Sequence, residues 1–281
     1  MTTDQKGDLL LGIPMFNFER NFDPEKFRDF FAKYSLITGL PIVSFYIISI
    51  FKLQKFMQDK KPLNLKYFLV FWNFSLSIFS LAGAYRSIPA FIEMVNGPKG
   101  WRGTVCSNEF YKNKPEAVWT ALFMLSKLPE LLDTYILILR KRKLIFLHWY
   151  HHATVLAYGW FTFHLWYAGP GWYGTMNYSV HFIMYLYYGI MATKTVRLPK
   201  TISMMITTLQ ILQMIVGIGV QYFQYKFVDD EDCHTSRWFI FGGSVMYGSY
   251  FVLFRVVHVS PAPKFVGKWV PRVRKTKFSH A

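Results

Sequence analysis

The sequence predicts an all-α, polytopic membrane fold of seven transmembrane helices, and three observations carry the prediction. Four blocks of near-membrane length contain no Asp, Glu, Lys or Arg. A fifth, Leu144–Thr193, is long enough for two crossings of about 20 residues each. Basic residues gather after alternate spans, as they do on the cytosolic side of membrane proteins. With 52% hydrophobic and 17% charged residues over 281 positions, the chain is too apolar for an ordinary soluble domain of its size.

Span one is Tyr34–Phe51 and span two Tyr67–Tyr85. Span three, roughly Ala117–Leu139, is apolar except for Lys127, Glu130 and Asp133. Spans four and five share Leu144–Thr193, broken by a tight turn at Gly169-Pro170-Gly171. Span six is Thr201–Tyr225 and span seven Trp238–Phe254. About 33 polar and amphipathic residues precede span one, so it does not read as a cleaved signal peptide. The expected organisation is a luminal N-terminal segment (1–33), a seven-helix transmembrane domain (34–258) and a basic cytosolic tail (259–281).

The net charge of +16 raises the question of nucleic acid, but the placement of the charges excludes that class. Lys52, Lys55, Lys60 and Lys61 follow span one, Arg140–Lys143 follow span three, and Lys194, Arg197 and Lys200 follow span five. The tail adds Lys264, Lys268, Arg272, Arg274, Lys275 and Lys277 on the same side. The opposite loops mix signs or carry few charges, as at Asp229–Asp232, which puts the N-terminus in the lumen and the C-terminus in the cytosol. Cys106 and Cys233 both fall in luminal loops, where a disulfide and two free thiols both remain open from spacing alone.

Ionisable side chains inside membrane helices cost about 2.5–3.5 kcal/mol each at mid-helix and call for a reason. At the helical rise, His148, His151 and His152 sit roughly 6–12 Å from the cytosolic end of span four. Lys127, Glu130 and Asp133 in span three, His181 in span five, and Thr207, Gln210 and Gln213 in span six fall at roughly 9–18 Å, with Asn177 at about 24 Å. Within each helix the spacing holds one face: His148, His151 and His152 are i, i+3, i+4, and Asn177, His181, Met184, Tyr185 and Tyr188 follow the same rule. Four helices thus aim polar groups into one slab open to the cytosol. Interhelical hydrogen bonding accounts for Asn177, Gln210 and Gln213 taken singly as well as a functional role does. It does not account for four histidines with Lys, Glu and Asp at one depth. His164, His234 and His280 lie outside the slab.

His-x-x-His-His on a helix can hold a metal, and membrane desaturases and hydroxylases carry such boxes. A di-iron centre needs several boxes and this chain has one, although His148, His151, His152 and His181 leave a single-metal site open. Without a metal, histidine serves as a general base or as an acyl-accepting nucleophile, and a thioester suits the second role because its thiolate leaves readily. Both cysteines are expected on the other side of the membrane, which favours histidine as the nucleophile. A seven-helix receptor or transporter is the remaining class, and it has no need of clustered histidines.

The ordered motifs Lys127-Leu-Pro-Glu130-Leu-Leu-Asp133-Thr134, His148-Trp-Tyr-His151-His152, Met176-Asn177-Tyr-Ser-Val-His181 with Met184-Tyr185-Leu-Tyr187-Tyr188, and Thr207-Thr-Leu-Gln210-Ile-Leu-Gln213 resemble the ELO family of very-long-chain fatty-acid elongases, the 3-ketoacyl-CoA synthases of the endoplasmic reticulum. The resemblance spans nearly the whole chain. It implies six helices ringed around a narrow acyl tunnel open to the cytosol, an outlying first helix, and a luminal disulfide between Cys106 and Cys233. It implies condensation of a long-chain acyl-CoA with malonyl-CoA by a ping-pong route through an acyl-histidine, with His151 and His181 as the substrate-linked pair and no further cofactor. The expected partners are the two CoA substrates, membrane lipid, the reductases and dehydratase of the elongation cycle, and a second copy of the chain as a homodimer.

Beyond the resemblance, His148 and His152 are expected to orient and protonate, and His181 with Asn177 to stabilise an enolate oxygen. Lys127, Glu130 and Asp133 form a partly compensated charge cluster, and Tyr185, Gln210 and Gln213 line the substrate path. Arg197, Lys200, Arg255 and His258 are candidates for the CoA phosphates, against a plain reading as positive-inside charge. Trp149-Tyr150 and Lys143 resemble the branch acting on saturated and monounsaturated chains. Lys275 and Lys277 resemble a dilysine retrieval signal with the spacing displaced. Two more methylenes gain about 1.6 kcal/mol on burial, so a closed tunnel end and not affinity must limit chain length.

Overall fold

Each of the four single-span apolar blocks falls within one helix, and the fifth, Leu144–Thr193, divides between two. The computed structural model describes residues 9–10, 13–196 and 198–259, with side chains at 14–196 and 198–255. It opens on a two-residue antiparallel ladder, β1 (Leu9–Leu10) against β2 (Ile13–Pro14), and is otherwise helical. The helices are α1 (Asn17–Arg20), α2 (Pro24–Phe56), α3 (Lys66–Asn96), α4 (Gly100–Cys106), α5 (Lys114–Glu130), α6 (Leu132–Leu139), α7 (Phe146–Thr162), α8 (Pro170–Thr193), α9 (Lys200–Lys226) and α10 (Arg237–Val259). Short 3-10 turns at Glu109–Tyr111 and Phe163–Leu165 lead into α5 and out of α7.

Three of these helices, α2, α3 and α9, are long and apolar enough to cross a membrane by length and composition. Their outer faces carry large apolar side chains: Ile37 and Phe45 on α2 are each 71% exposed. Soluble proteins do not tolerate so wide an apolar surface, whereas lipid removes its cost, and the chain is a membrane protein.

α2 begins ten residues before its apolar block because Asp23 caps it, accepting the Lys26 N–H at 3.1 Å, and Pro24 presets the first turn. The sequence reading of span three as one helix is corrected. The helix divides at Leu131, two residues past Pro129, into α5 and α6. Tighter bonds, Leu131 N–H to Leu128 O at 3.1 Å and Thr134 N–H to Leu131 O at 3.2 Å, carry the chain across the break. The expected turn between spans four and five is present. Gly169 takes φ +99°, and a Cβ there would stand 2.9 Å from the Gln224 amide.

Packing is closest between α3 and α8. At Gly83 a Cβ would fall 2.4 Å from the Tyr178 ring, so only glycine lets the two helices approach. Tyr178 in turn donates to Trp119 O on α5 at 2.8 Å. α2 lies against α6 and α7 through Tyr46–Thr134 at 2.7 Å and Trp160 Nε1 to Thr38 at 2.9 Å.

The segment before α2 does more than precede the helices. Glu19 of α1 is fully buried against Arg86 of α3 at 2.6 Å, and Trp119 Nε1 donates to its other oxygen at 2.8 Å. Nearby, Cys106 and Cys233 form a disulfide with Cα atoms 4.3 Å apart, so neither thiol is free. Around it His234 N–H bonds Cys106 O at 2.9 Å and Ala168 N–H bonds His234 O at 2.7 Å. Gln224 Nε2 donates to Val105 O at 3.2 Å and Ala168 O at 2.8 Å. This is the disulfide end of the molecule; the histidine box lies at the far end of α7.

Candidate active site

The helical period decides what α7 presents. His148, His151 and His152 fall on one face, with the His148 and His152 rings 4.7 Å apart and those of His151 and His152 5.6 Å apart. Nε2 of His148 and Nδ1 of His151 and His152 are buried without a hydrogen-bond partner. Among the described residues no three His, Cys, Asp or Glu side chains converge as a metal-ligand set.

Facing this box, the last turn of α5 carries a buried ion pair. Lys127 Nζ donates to Glu130 Oε1 at 2.7 Å and to Asn177 Oδ1 on α8 at 3.0 Å, and Ser126 Oγ donates to the same Glu130 oxygen at 3.0 Å. Desolvating both charges is costly, and these added bonds offset the cost. A cation in the final turn also meets the negative end of the helix dipole. His181 Nδ1 stands 3.9 Å from Glu130 Oε1. His151 lies within electrostatic reach of His181, Lys127, Glu130 and His148. α5, α7 and α8 therefore converge on one polar cluster, the chamber expected from the sequence being packed with side chains.

Asp133, in the first turn of α6, meets different partners. Its Oδ1 accepts from Trp72 Nε1 of α3 at 2.7 Å, and its Oδ2 accepts from Tyr185 OH of α8 at 2.7 Å. Tyr185, 3% exposed, meets His181 edge-on with ring centroids 5.4 Å apart.

The family model described as "ELO: GNS1/SUR4 family" matches residues 31–262, most of the chain and every helix of the cluster. This chain belongs to the ELO family. It is similar to "Very long chain fatty acid elongase 3" of Homo sapiens, 42% identical over 241 residues, which cover 85% of this chain and 86% of that protein. It is also similar to "Very long chain fatty acid elongase 6" of Gallus gallus, 39% identical over 249 residues (87% and 91% covered). A more distant relative is "Fatty acid elongase 3" of Trypanosoma brucei brucei, 36% identical over 237 residues (75% and 79% covered).

The remaining expected residues of this ELO protein fall less centrally. Gln210 Nε2 reaches Met184 Sδ on α8 at 3.3 Å, and Gln213 is 7% exposed. Thr207 bonds back to Ser203 O within its own helix at 3.0 Å. Arg255 and Lys200 are exposed. Arg197, the His258 side chain, His280 and the tail lysines lie outside the described residues.

Sequence reasoning missed Trp72, Tyr250 and Thr154. Tyr250 of α10, 1% exposed, packs on the His151 ring at 4.6 Å and donates to its carbonyl at 3.3 Å, with Thr154 at 2.5 Å from the same hydroxyl. An aromatic inside an apolar block reads as lipid-facing or core. The one available signal was the polar atom on Trp and Tyr, which seeks a partner when buried.

Proposed function

We propose that this ELO protein is the condensing enzyme of fatty-acid elongation, joining a long-chain acyl-CoA to malonyl-CoA to give 3-ketoacyl-CoA, CO2 and CoA. The observation that carries the reading is the convergence of His151 on α7 with His181 on α8 beside the buried Lys127–Glu130 pair. The names of the relatives supply the reaction class.

In the proposed route an imidazole nitrogen of His151 attacks the thioester carbonyl, the C–S bond breaks, and the ring proton passes to the departing CoA thiolate. Malonyl-CoA then binds and loses CO2, leaving its electron pair on the enolate of the acetyl unit. That carbon attacks the acyl-imidazole, and the freed ring recovers a proton. His181 with Asn177 steadies the enolate oxygen, and His148 and His152 orient His151 and hand protons on. Lys127 and Glu130 fix the cluster's charge. Asp133, Tyr185, Gln210 and Gln213 shape the path, and Arg255 and His258 meet the CoA phosphates.

The wider reading follows from the positive-inside pattern and from family membership. Seven spans cross the endoplasmic reticulum membrane, six of them ringing an acyl tunnel, with the N-terminal segment (1–33) luminal and the tail (259–281) cytosolic. The substrates are saturated or monounsaturated chains. The partners are the other enzymes of the cycle and a second copy of this chain, and no cofactor is needed beyond the two CoA substrates. Purified protein given both substrates should release CO2 and form a ketoacyl-CoA two carbons longer. No condensation product from any long-chain acyl-CoA would sink the reading.

A further inference from the structure

Asp133 is a half-buried carboxyl group with no cation of the described residues bonded to either oxygen. The nearby ammonium, Lys127, gives its bonds to Glu130 and Asn177, and each Asp133 oxygen takes one neutral donor from a different helix: Trp72 of α3 and Tyr185 of α8, both at 2.7 Å. An anion satisfied in this way is an acceptor of fixed position, able to hold two donors in place. Trp72 is itself set by the Phe68 ring, stacked on it at 6.1 Å. The Tyr185 ring then stands edge-on to His181, whose Nδ1 faces Glu130 Oε1 at 3.9 Å on another side. The His181 imidazole is confined between a carboxylate and an aromatic edge, and the edge is anchored to Asp133.

We propose that Trp72, Asp133 and Tyr185 form a positioning relay across α3, α6 and α8 that sets the ring orientation of His181. The relay rests on the proposed role of His181 in condensation. None of its members touches the box on α7. Asp133 is the hub: it accepts from both donors at once, so losing either donor frees the carboxylate to swing, and losing the second adds little. A ring displaced by about 1 Å costs a reaction on the order of a hundredfold, and a loosened ring costs part of that.

Two readouts test the relay, one needing no turnover. The first is a cycle of Trp72→Phe, Tyr185→Phe and the double variant in steady-state condensation. Each single change should lower kcat about tenfold with KM for both CoA substrates within about twofold, and the double variant should be no worse than about twofold below the weaker single. Multiplying losses would overturn the relay. The second readout is carbethoxylation of His181 and His151 by diethyl pyrocarbonate, followed peptide by peptide in the mass spectrometer. Tyr185→Phe and Trp72→Phe should each change the His181 rate severalfold and leave the His151 rate within about twofold of the parent. An unchanged His181 rate, or equal changes at both histidines as general loosening would give, would contradict the proposal. Inactive parent protein would refute the condensing reading, while the modification rates would still decide the relay.

Discussion

The two ends of this molecule spend their polar groups differently. At the disulfide end opposite charges meet: Glu19 accepts from Arg86, Trp119 and the Phe16 N–H, and Arg102 and Arg237 pair with Asp230, Asp232 and Asp229, while Gln224 donates to two carbonyls, although Arg86, Arg102 and Gln224 each keep a buried atom without a partner. At the histidine end, nitrogens of His148, His151 and His152 and one oxygen of Glu130 are buried with no partner. An unmatched buried atom costs about 1–3 kcal/mol at either end, but at the histidine end such atoms sit on three imidazoles of one helix face, groups able to take and give protons. The difference is one of kind: one end pairs opposite charges around a cross-link, and the other gathers imidazoles on one helix face.

Changes at each end should therefore separate activity from stability. The largest effect is expected for His151→Ala, a fall in turnover of about 10²–10⁴-fold with a melting temperature closer to the parent's than that of any disulfide-end variant below. Retained turnover would break the comparison at its first step. Glu19→Gln should do the reverse. It leaves the Arg86 charge buried and uncompensated, for a loss of about 3–5 kcal/mol in unfolding measured at fixed detergent, while turnover per folded molecule stays near the parent's.

Cys233→Ser comes next, with a loss of about 2–4 kcal/mol and an accelerated thermal inactivation, again without a matching fall in kcat. The smallest effect is at Asp23. The Lys26 N–H and ammonium hold this exposed carboxyl below its usual range, so its contribution is present at neutral pH and is lost as pH falls through the depressed value. Asp23→Ala should lower the melting temperature slightly at neutral pH, and acidification should close the gap. A gap that widens in acid would show that the cap is not what Asp23 provides.

Much of this was legible in the sequence, because the bilayer reduces the problem to length and charge. Blocks free of Asp, Glu, Lys and Arg gave the helices, and Gly169-Pro170-Gly171 gave the turn with its left-handed φ. The i, i+3, i+4 period puts three histidines on one face, where their rings lie 4.7 and 5.6 Å apart. The break at Leu131 was not read, although Pro129 was in plain view, because a proline in a membrane helix can kink it or be absorbed. Trp72 and Tyr250 were invisible for a different reason. Their partners lie 61 and 99 positions away, and no local pattern marks a pairing between helices. Glu19 looked like one more charge in a polar leader. Only the fold shows that it meets Arg86, 67 residues on.

The central claim is that a buried imidazole carries the acyl group between two CoA esters. Intact-mass spectrometry of purified protein incubated with acyl-CoA alone tests it most directly. The account predicts a mass increase of one acyl group with stoichiometric release of CoA before malonyl-CoA is added, and no adduct in His151→Ala. Full condensing activity with no adduct in the parent protein would contradict it and point to direct attack within a ternary complex.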